Sequence, residues 1–308
     1  MWRQPADLQG LLADEAAVES VAAVLAGRRV ALVGTGTSWH AANHGVWLLR
    51  AAGVDAIAHQ GMDVALWPEH IADDDAVLLL SHRNTKRYTS AALADWKKRG
   101  IDVRVVSGIG SPGADLQTVA PEKSAAFTAS HLGALMRLAQ IATALGAELG
   151  DISAVPDAVE AVLEQDGSGV EAPARLLEFA GAGPNQWTAS EGALKVRETA
   201  YVATEGFSVE QLYHGPSVAL GDRDGLVALD GGGPGSERVN AVANAAEACG
   251  VAVYRIQQAA LGEHLSIFPL TVEVQRIALE LAEALETNPD TFGFDLPGRE
   301  QAWKPIGL

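Results

Sequence analysis

The order of apolar and polar residues along the chain predicts an α/β fold. Short, continuous apolar runs at 30–33 and 76–80, and a valine-rich run at 103–107, are typical of buried strands. An amphipathic Ala/Leu/Val pattern predicts a helix over 6–26, and a long helix is expected over 127–149. Strands that alternate with helices through short glycine-rich turns form parallel sheets flanked by helices.

The same pattern restarts in the second half of the chain. An apolar run at 176–180 leads into the glycine turn 181–183 and a helix, as residues 30–33 lead into the glycine turn 34–36 and a helix. We therefore predict two similar α/β units. The predicted boundaries are an N-terminal helix (1–28), a first unit (29–150), a linker (151–174), a second unit (175–286) and a C-terminal tail (287–308).

Composition and charge narrow the class of partner. The 308 residues include 39 acidic and 22 basic side chains, which gives a formal net charge of −17. Such a surface repels phosphate backbones and anionic lipids, so neither nucleic acid nor a membrane is expected as a partner. We find no signal-peptide pattern, no apolar stretch of about 18 residues, and a single cysteine, Cys249, which excludes an intrachain disulfide. A cytoplasmic globular protein is expected.

Three ionisable side chains share one face of the helix that follows the second glycine turn. At about 100° per residue, Glu191, Lys195 and Glu198 fall at roughly 0°, 40° and −20° around the helix axis. An acid, a base and an ammonium on one face can move a proton and hold a developing oxyanion. The alternative is a surface pair between Glu191 and Lys195, worth a few tenths of a kcal/mol.

The first glycine turn is a candidate anion site. Gly36, Thr37 and Ser38 lie where the first strand feeds a helix, and the N–H groups of a helix N-terminus favour an anion. A tight turn with an N-cap hydroxyl is the alternative. A nicotinamide dinucleotide fits less well, because Trp39 stands where a third glycine is expected and Gln60 supplies no acidic ligand for a ribose.

A second candidate anion site follows the strand predicted at 76–80. Ligands of open α/β sheets bind at the carboxyl ends of the strands. Cations and hydroxyls there fit a phosphate or a sulfonate, although a solvated basic loop is the alternative. The candidates are Ser81, His82, Arg83, Thr85 and Lys86, together with Lys123 and Ser124 ahead of the long helix.

One histidine pair has the spacing of some zinc sites. His40 and His44 lie at i and i+4 of a predicted helix, but Ala41 stands where an HExxH motif needs its glutamate, and no third ligand is evident. We therefore expect no metal and no cofactor.

These motifs together resemble the sugar isomerase (SIS) superfamily, in particular the tandem-SIS isomerase half of glucosamine-6-phosphate synthase and related fructosamine-phosphate deglycases and deaminases. Residues 34–42 (GTGTSWHAA) match the family's first phosphate loop, and residues 190–216 (SEGALKVRETAYVATEGFSVEQLYHGP) match its most distinctive motif. The resemblance implies two SIS units and a cofactor-independent isomerase, or isomerising deaminase or deglycase, acting on an anionic hexose such as a hexose or hexosamine 6-phosphate. Because residue 2 is Trp2 rather than the synthase's glutaminase cysteine, a stand-alone enzyme is expected.

The resemblance also implies roles for individual residues. Glu198 matches the base that moves a proton between C1 and C2, and Lys195 and Glu191 match residues that hold the sugar's oxygens. His214 matches a ring-opening histidine that reaches in from the neighbouring subunit, which implies a homodimer. Lys304, although its spacing differs, corresponds to the family's imine-forming lysine.

One loop departs from the family. Its usual Ser-x-Ser-Gly-x-Thr is a neutral hydroxyl cradle, whereas Arg83, Asn84 and Lys86 stand here in place of the second serine, the glycine and the threonine. The sequence therefore leaves open the sugar, the choice of phosphate, sulfonate or carboxylate, and whether an amine is released. A regulator that binds a sugar phosphate without turnover is the alternative function, although binding alone does not require the acid–base stripe.

Overall fold

The computed structural model describes residues 1–306 and has an α/β fold with two parallel sheets flanked by helices. Residues 307 and 308 of the predicted tail lie outside the described residues. The strands are β1 (Val30–Gly34), β2 (Ala56–Gln60), β3 (Ala76–Leu80), β4 (Asp102–Ser107), β5 (Leu116–Gln117), β6 (Leu177–Gly181), β7 (Thr204–Ser208), β8 (Gly225–Asp230) and β9 (Ala252–Gln257). Their order is β2-β1-β3-β4-β5 in the first sheet and β7-β6-β8-β9 in the second.

Helices connect the strands and pack on the sheets. In the first half they are α1 (Gln4–Leu11), α2 (Glu15–Leu25), α3 (Thr37–Ala51), α4 (Gly61–Leu66), α5 (Arg87–Arg99), α6 (Ala129–Ala144) and α7 (Val155–Leu163). In the second half they are α8 (Asn185–Thr199), α9 (Val209–Tyr213), α10 (Ser236–Ala248), α11 (Gly262–Leu265), α12 (Ile267–Ala284) and α13 (Arg299–Trp303).

The central strands β1 and β3 of the first sheet are buried on both faces, which explains why they are apolar throughout. Leu32 and Leu78 point to one face, into a core shared with α3 and α6. Val33 and Leu79 point to the other face, where Trp96 of α5 packs. Because successive side chains of a strand alternate between faces, a strand with helices on both sides must be apolar throughout.

Helices α8 and α12 join the two halves of the molecule. Phe268 and Val272 of α12 lie in the core of the first half, whereas Leu270 and Val274 lie in the core of the second. Helix α8 packs against both α12 and α3. Side chains of α8 that point toward α3 therefore meet residues of the first half.

Both predicted glycine turns are tight strand-to-helix connections. A Cβ on Gly34 would lie 2.1 Å from the carbonyl oxygen of Ser38, and one on Gly181 would lie 2.3 Å from that of Asn185. Only glycine allows a helix to begin so close to the end of the preceding strand. The N-termini of α3 and α8 are thus set directly at the carboxyl ends of β1 and β6.

The single helix predicted over 6–26 is wrong, since this segment forms α1 and α2. The break follows Leu11, whose carbonyl oxygen accepts hydrogen bonds from Arg137 Nη1 at 3.2 Å and Gln140 Nε2 at 2.8 Å. Asp14, at the start of α2, pairs with the same Arg137 at 2.9 Å. Side chains of α6 therefore donate the hydrogen bonds to the last carbonyl group of α1 that backbone N–H groups would donate in a continuous helix.

Two further predicted boundaries differ in the structure. The segment 151–174, predicted as a linker, contains α7, whose C-terminal end is held by Arg276 through a 2.8 Å hydrogen bond to Val162 O. The helix predicted over 127–149 ends at Ala144, because Gly146 has a φ of 99°. A left-handed glycine just after the last turn is a common helix stop.

Candidate active site

The predicted stripe on α8 forms a buried ionic cluster. Glu191 and Lys195 are 0% and 1% exposed, and the Lys195 Nζ lies 3.5 Å from Glu191 Oε1 and also hydrogen-bonds Glu198 Oε2. The side chain of Glu198 keeps 12% of its surface exposed. Because Glu191 and Lys195 are both buried, the alternative of a surface ion pair is excluded. Burying such charges is costly unless each is paired, and here each carboxylate contacts the Lys195 ammonium.

Glu191 is anchored by the first half of the molecule. Its Oε2 lies 2.6 Å from His40 Nδ1, and its Oε1 accepts a 3.0 Å hydrogen bond from Thr37 Oγ1. Burial opposes ionisation of this carboxyl, but the Lys195 ammonium and the hydrogen bond from His40 hold its pKa well below the usual range. Glu191 is therefore a fixed anion that ties α8 to the first turn of α3.

Glu198 and Lys195 have pKa values suited to proton transfer and charge stabilisation. Burial raises the pKa of Glu198 above its ordinary value, and the nearby Lys195 ammonium does not cancel that rise. Burial opposes the charge on Lys195, but Glu191 and Glu198 outweigh it and raise the pKa of the ammonium. The pair thus offers a carboxylate of increased basicity beside a permanent cation.

Glu198 faces a cavity of about 390 Å³ at the carboxyl ends of β1, β3 and β4. Aromatic side chains of the C-terminal tail lie on its wall, so the tail contributes to the enclosure. The lining residues are Thr35, Gly36, Thr37, Ser38, Ala41, Leu80, Ser81, His82, Arg83, Lys86, Thr89, Val106, Ser107, Thr118, Ala125, Phe127, Ser130, His131, Ala134, Glu198, Phe292 and Phe294.

Part of the cavity wall is formed by the predicted anion-binding residues. The N-terminus of the 15-residue α3 lies there, and Gly36 precedes it with a φ of 59°. Ser81 is buried at the wall, whereas Arg83 and Lys86 are exposed at the mouth. A helix N-terminus, hydroxyls and two cations are groups that can hold an anion.

In the loop that follows β3, an asparagine adopts the left-handed backbone conformation that glycine usually adopts. Asn84, where the family resemblance expects glycine, has a φ of 47°, and its Nδ2 donates a 2.8 Å hydrogen bond to Pro112 O. Asparagine is one of the few residues that adopt the left-handed region readily. Ser107 supports the loop from β4, since its Oγ donates to Ser81 O at 2.6 Å.

The structure brings most of the predicted site residues together. Those that line the cavity are Gly36, Thr37, Ser38, Ser81, His82, Arg83, Lys86 and Glu198. Glu191 and Lys195 lie directly behind Glu198.

The remaining predicted residues, Thr85, Lys123, Ser124, His214 and Lys304, do not line the cavity. The side chain of His214 is 63% exposed and its Nε2 lies 2.8 Å from Glu210 Oε1. The side chain of Lys304 is 72% exposed and pairs with Glu300 at 2.7 Å. Neither residue reaches the cavity within its own chain.

The segment ahead of α6 was predicted to bind an anion, but in the structure it caps this helix. Glu122 accepts hydrogen bonds from the backbone N–H groups of Thr128, Ala129 and Ser130 at 2.8 to 3.0 Å. A carboxylate thus already occupies the N-terminus of α6 that an anion would need. Lys123 is exposed beside it and does not close the pocket.

Both histidines of the zinc-like pair are engaged by the protein. His40 contacts Glu191, and His44 is bonded to His40 O at 3.0 Å and to Thr188 Oγ1 at 3.1 Å. Within residues 1–306 there is no group of three or more potential ligands arranged for a metal ion.

No helix in the same range has the length and apolarity to cross a bilayer.

Sequence reasoning missed part of the cavity wall. Ser107, Thr118, Ser130 and His131 lie on it, as do the three aromatic residues Phe127, Phe292 and Phe294. The sequence carried no signal for most of these, because each sits in an apolar helix, a strand end or the tail. Their exposure to the cavity depends on how distant segments pack.

Comparison with known sequences gives partial matches. No protein-family model matches the chain. Over 298 residues it is 29% identical to the isomerizing glutamine–fructose-6-phosphate aminotransferase of Pyrococcus horikoshii, an alignment that covers 85% of this chain and 50% of that protein. The chain spans half or less of the length of the curated relatives that it matches.

Comparison with solved structures shows the fold. The C-terminal domain of glucosamine-fructose-6-phosphate aminotransferase from Francisella tularensis gives a TM-score of 0.80 at 18% identity, over 94% of this chain and 95% of that one. Tagatose-6-phosphate ketose/aldose isomerase from Escherichia coli gives 0.80 at 18% identity, over 94% and 93%. The predicted α/β architecture of helix-flanked parallel sheets is confirmed.

Proposed function

We propose that the chain is a sugar-phosphate isomerase that moves a proton between C1 and C2 of a ketohexose or hexosamine 6-phosphate. The observation that carries this proposal is Glu198, a carboxyl of raised pKa that pairs with the buried Lys195 and faces a cavity also lined by the N-terminus of α3, Arg83 and Lys86. A proton acceptor, a cation and an anion clamp around one cavity are the parts that such a reaction needs.

The reaction follows from these positions. With a ketose bound, the Glu198 carboxylate takes a proton from C1, and the C1–H electrons form the enediolate as the C2 carbonyl becomes an oxyanion. Lys195 stabilises that developing charge. Glu198 then returns the proton to C2 while the proton of the C1 hydroxyl passes to the C2 oxyanion, so C1 becomes the carbonyl, C2 carries the hydroxyl, and the aldose results. Glu191 does not take part in proton transfer, because Lys195, His40 and Thr37 hold it ionised.

Two of the similar proteins, the aminotransferase of Pyrococcus horikoshii and the ketose/aldose isomerase of Escherichia coli, are named for fructose 6-phosphate and tagatose 6-phosphate, both ketohexose 6-phosphates. This supports a 6-phosphate as the anionic group here, held by the N-terminus of α3 with Arg83 and Lys86. The matching strand-to-helix turns at Gly34 and Gly181 support two SIS units in tandem. Release of an amine would extend the same proton transfer, and cytoplasmic location stays a prediction.

We further propose a homodimer in which His214 serves the cavity of the partner. This residue is exposed on the turn that follows α9, next to Tyr213, whose ring is also 51% exposed. A histidine that is remote from its own cavity yet matches a ring-opening residue is consistent with action across subunits. Lys304 is left without a role, because it is exposed and paired with Glu300.

Deuterium exchange tests the proposed function. Wild-type protein incubated in D₂O with fructose 6-phosphate or glucosamine 6-phosphate should introduce deuterium at C1 or C2, detected by mass spectrometry. Glu198→Gln should abolish exchange while ligand binding, measured by calorimetry, persists. Glu247→Gln, on the exposed face of α10, is the matched control and should exchange like wild type.

The outcomes separate the candidate functions. Binding of the 6-phosphates without any exchange would indicate the regulator and refute the isomerase. Exchange with 6-sulfonated hexoses but not with 6-phosphates would show that Arg83 and Lys86 select a sulfonate. Exchange that survives Glu198→Gln would refute the assignment of the base.

A further inference from the structure

His131 on α6 is a buried side chain whose polar atoms have no partner in the protein. The residue is 2% exposed, and neither Nδ1 nor Nε2 makes a hydrogen bond within the described residues. Its ring nevertheless lines the cavity that Glu198 faces. The imidazole therefore lies on the wall of a space that a ligand can fill, and the protein leaves both of its nitrogens without a hydrogen bond.

His44 provides an internal comparison. Its ring centroid lies 5.9 Å from that of His131, and it too is fully buried. Both nitrogens of His44 are satisfied, by His40 O and Thr188 Oγ1, and His44 does not line the cavity. Two adjacent buried histidines thus differ in two respects: His44 is bonded within the fold and lies away from the cavity, whereas His131 is unbonded and lies on the cavity wall.

A buried polar group without a partner lowers the stability of a protein. Nearly all such groups in folded proteins are hydrogen-bonded, and those that are not call for an explanation. An apolar side chain would fill the same position in α6 without that penalty. The position of His131 on the cavity wall therefore points to a bound molecule that supplies the missing hydrogen bonds.

The chemistry of the ring indicates which part of a ligand it meets. Burial lowers the pKa of His131 to about 4, and His40 and Lys195 add to that effect while Glu191 opposes it. A neutral imidazole has one N–H donor and one acceptor nitrogen. This combination suits a hydroxyl or a carbonyl oxygen, whereas an anionic phosphate offers acceptors only and is better served by Arg83 and Lys86.

We propose that His131 is a substrate-binding residue whose neutral imidazole exchanges hydrogen bonds with a hydroxyl or carbonyl oxygen of the sugar, near the carbons that face Glu198. The proposal rests on the proposed function and extends it to specificity. Sugars that place a hydroxyl within reach of His131 are bound, and analogues lacking that hydroxyl are discriminated against, because the imidazole would stay unpaired.

Substitution by leucine distinguishes a ligand-binding histidine from a structural one. His131→Leu removes no hydrogen bond within the protein, so its Tm should equal or exceed that of wild type. His44→Leu removes two such bonds and should lower the Tm. The affinity for fructose 6-phosphate, measured by calorimetry, should fall about tenfold or more in His131→Leu, as expected for a lost hydrogen bond in a buried site.

Inorganic phosphate is the second probe. Since His131 is assigned to the sugar and not to the anion, His131→Leu should bind phosphate as wild type does. His131→Asn and His131→Gln each restore a side-chain amide at the position of one ring nitrogen. One of them should recover part of the affinity for fructose 6-phosphate, and both serve as test variants should the leucine variant fail to fold.

Several results would overturn the inference. Unchanged affinity for fructose 6-phosphate in His131→Leu, with wild-type exchange intact, would refute the role of His131 and leave the proposed function standing. An equal loss of affinity for phosphate and for fructose 6-phosphate would refute the assignment to a sugar oxygen. A wild-type protein that neither binds nor exchanges any of the 6-phosphates would refute the proposed function and this inference with it.

Discussion

We expect Glu178→Gln to stabilise the protein, and to do so more strongly at pH 8 than at pH 5. Glu178 lies on β6, is 3% exposed, and its Oε2 has no hydrogen-bond partner. In the sheet it stands directly opposite Glu205 of β7, so two carboxylates face each other across neighbouring strands. A buried carboxyl next to a like charge resists ionisation.

The magnitude follows from the pKa of this carboxyl. Burial, followed by the charge of Glu205, raises the pKa of Glu178 from an ordinary 4.5 to about 7, although Arg197 opposes the rise. Below the unfolded-state pKa of 4.5 this carboxyl is protonated in both states and does not destabilise the fold. As the pH rises through the folded-state pKa of about 7 the carboxyl ionises in its buried site, and the stability is lost. Linkage then gives a penalty for Glu178 of about 1 kcal/mol at pH 5 and about 3 kcal/mol at pH 8.

Thermal unfolding at the two pH values provides the assay. Because glutamine does not titrate, the difference between variant and wild type carries the pH dependence of Glu178 alone. A change of about 2 kcal/mol corresponds to a further gain of about 4 °C in Tm at pH 8 over that at pH 5. Glu205→Gln, which removes the facing charge but not the burial, should show a smaller gain of the same sign. Equal gains at both pH values, or a larger gain at pH 5, would refute the reasoning.

Three other predictions concern the candidate site. Lys195→Met should lower the free energy of unfolding by about 3–5 kcal/mol in chemical denaturation, because it leaves two buried carboxylates without their cation; a loss below 1 kcal/mol would contradict the buried cluster. Arg83→Ala and Lys86→Ala should each raise KM for a phosphorylated sugar about tenfold and leave that for its neutral analogue unchanged, whereas equal effects would argue against an anion clamp. Mixing Glu198→Gln with His214→Ala protein should restore activity through hybrid dimers, and a mixture as inactive as its components would contradict action across subunits.

The fold could be predicted wherever the signal was local. Residues 76–80 are apolar throughout, and they form β3 (Ala76–Leu80) between helices on both faces. The break between α1 and α2 could not be predicted in the same way. It depends on Arg137 and Gln140, which come from α6 and bond to Leu11 more than 120 residues earlier in the chain.

The sequence indicated the candidate residues in the loops of the site, but not the helix and tail residues that line the cavity. Ser81 and Arg83 follow a strand, and the carboxyl ends of parallel strands are where such folds bind ligands. His131, by contrast, lies between buried apolar residues of α6 such as Leu132 and Leu135, so its sequence context predicts only a core position. What distinguishes it is a cavity whose walls come from residues as distant as Thr37 and Phe292.

The structure also decides between the two carboxylates of the stripe, which helical spacing alone leaves equivalent. One ammonium cannot fully balance two buried carboxylates, so the remaining hydrogen bonds determine which of them stays ionised. Glu191 receives those of His40 and Thr37 and has a depressed pKa, whereas Glu198 receives only that of Lys195 and has a raised one. Because α3 of the first half supplies the bonds that fix Glu191, the packing of the two halves makes Glu198 the carboxylate able to carry a proton.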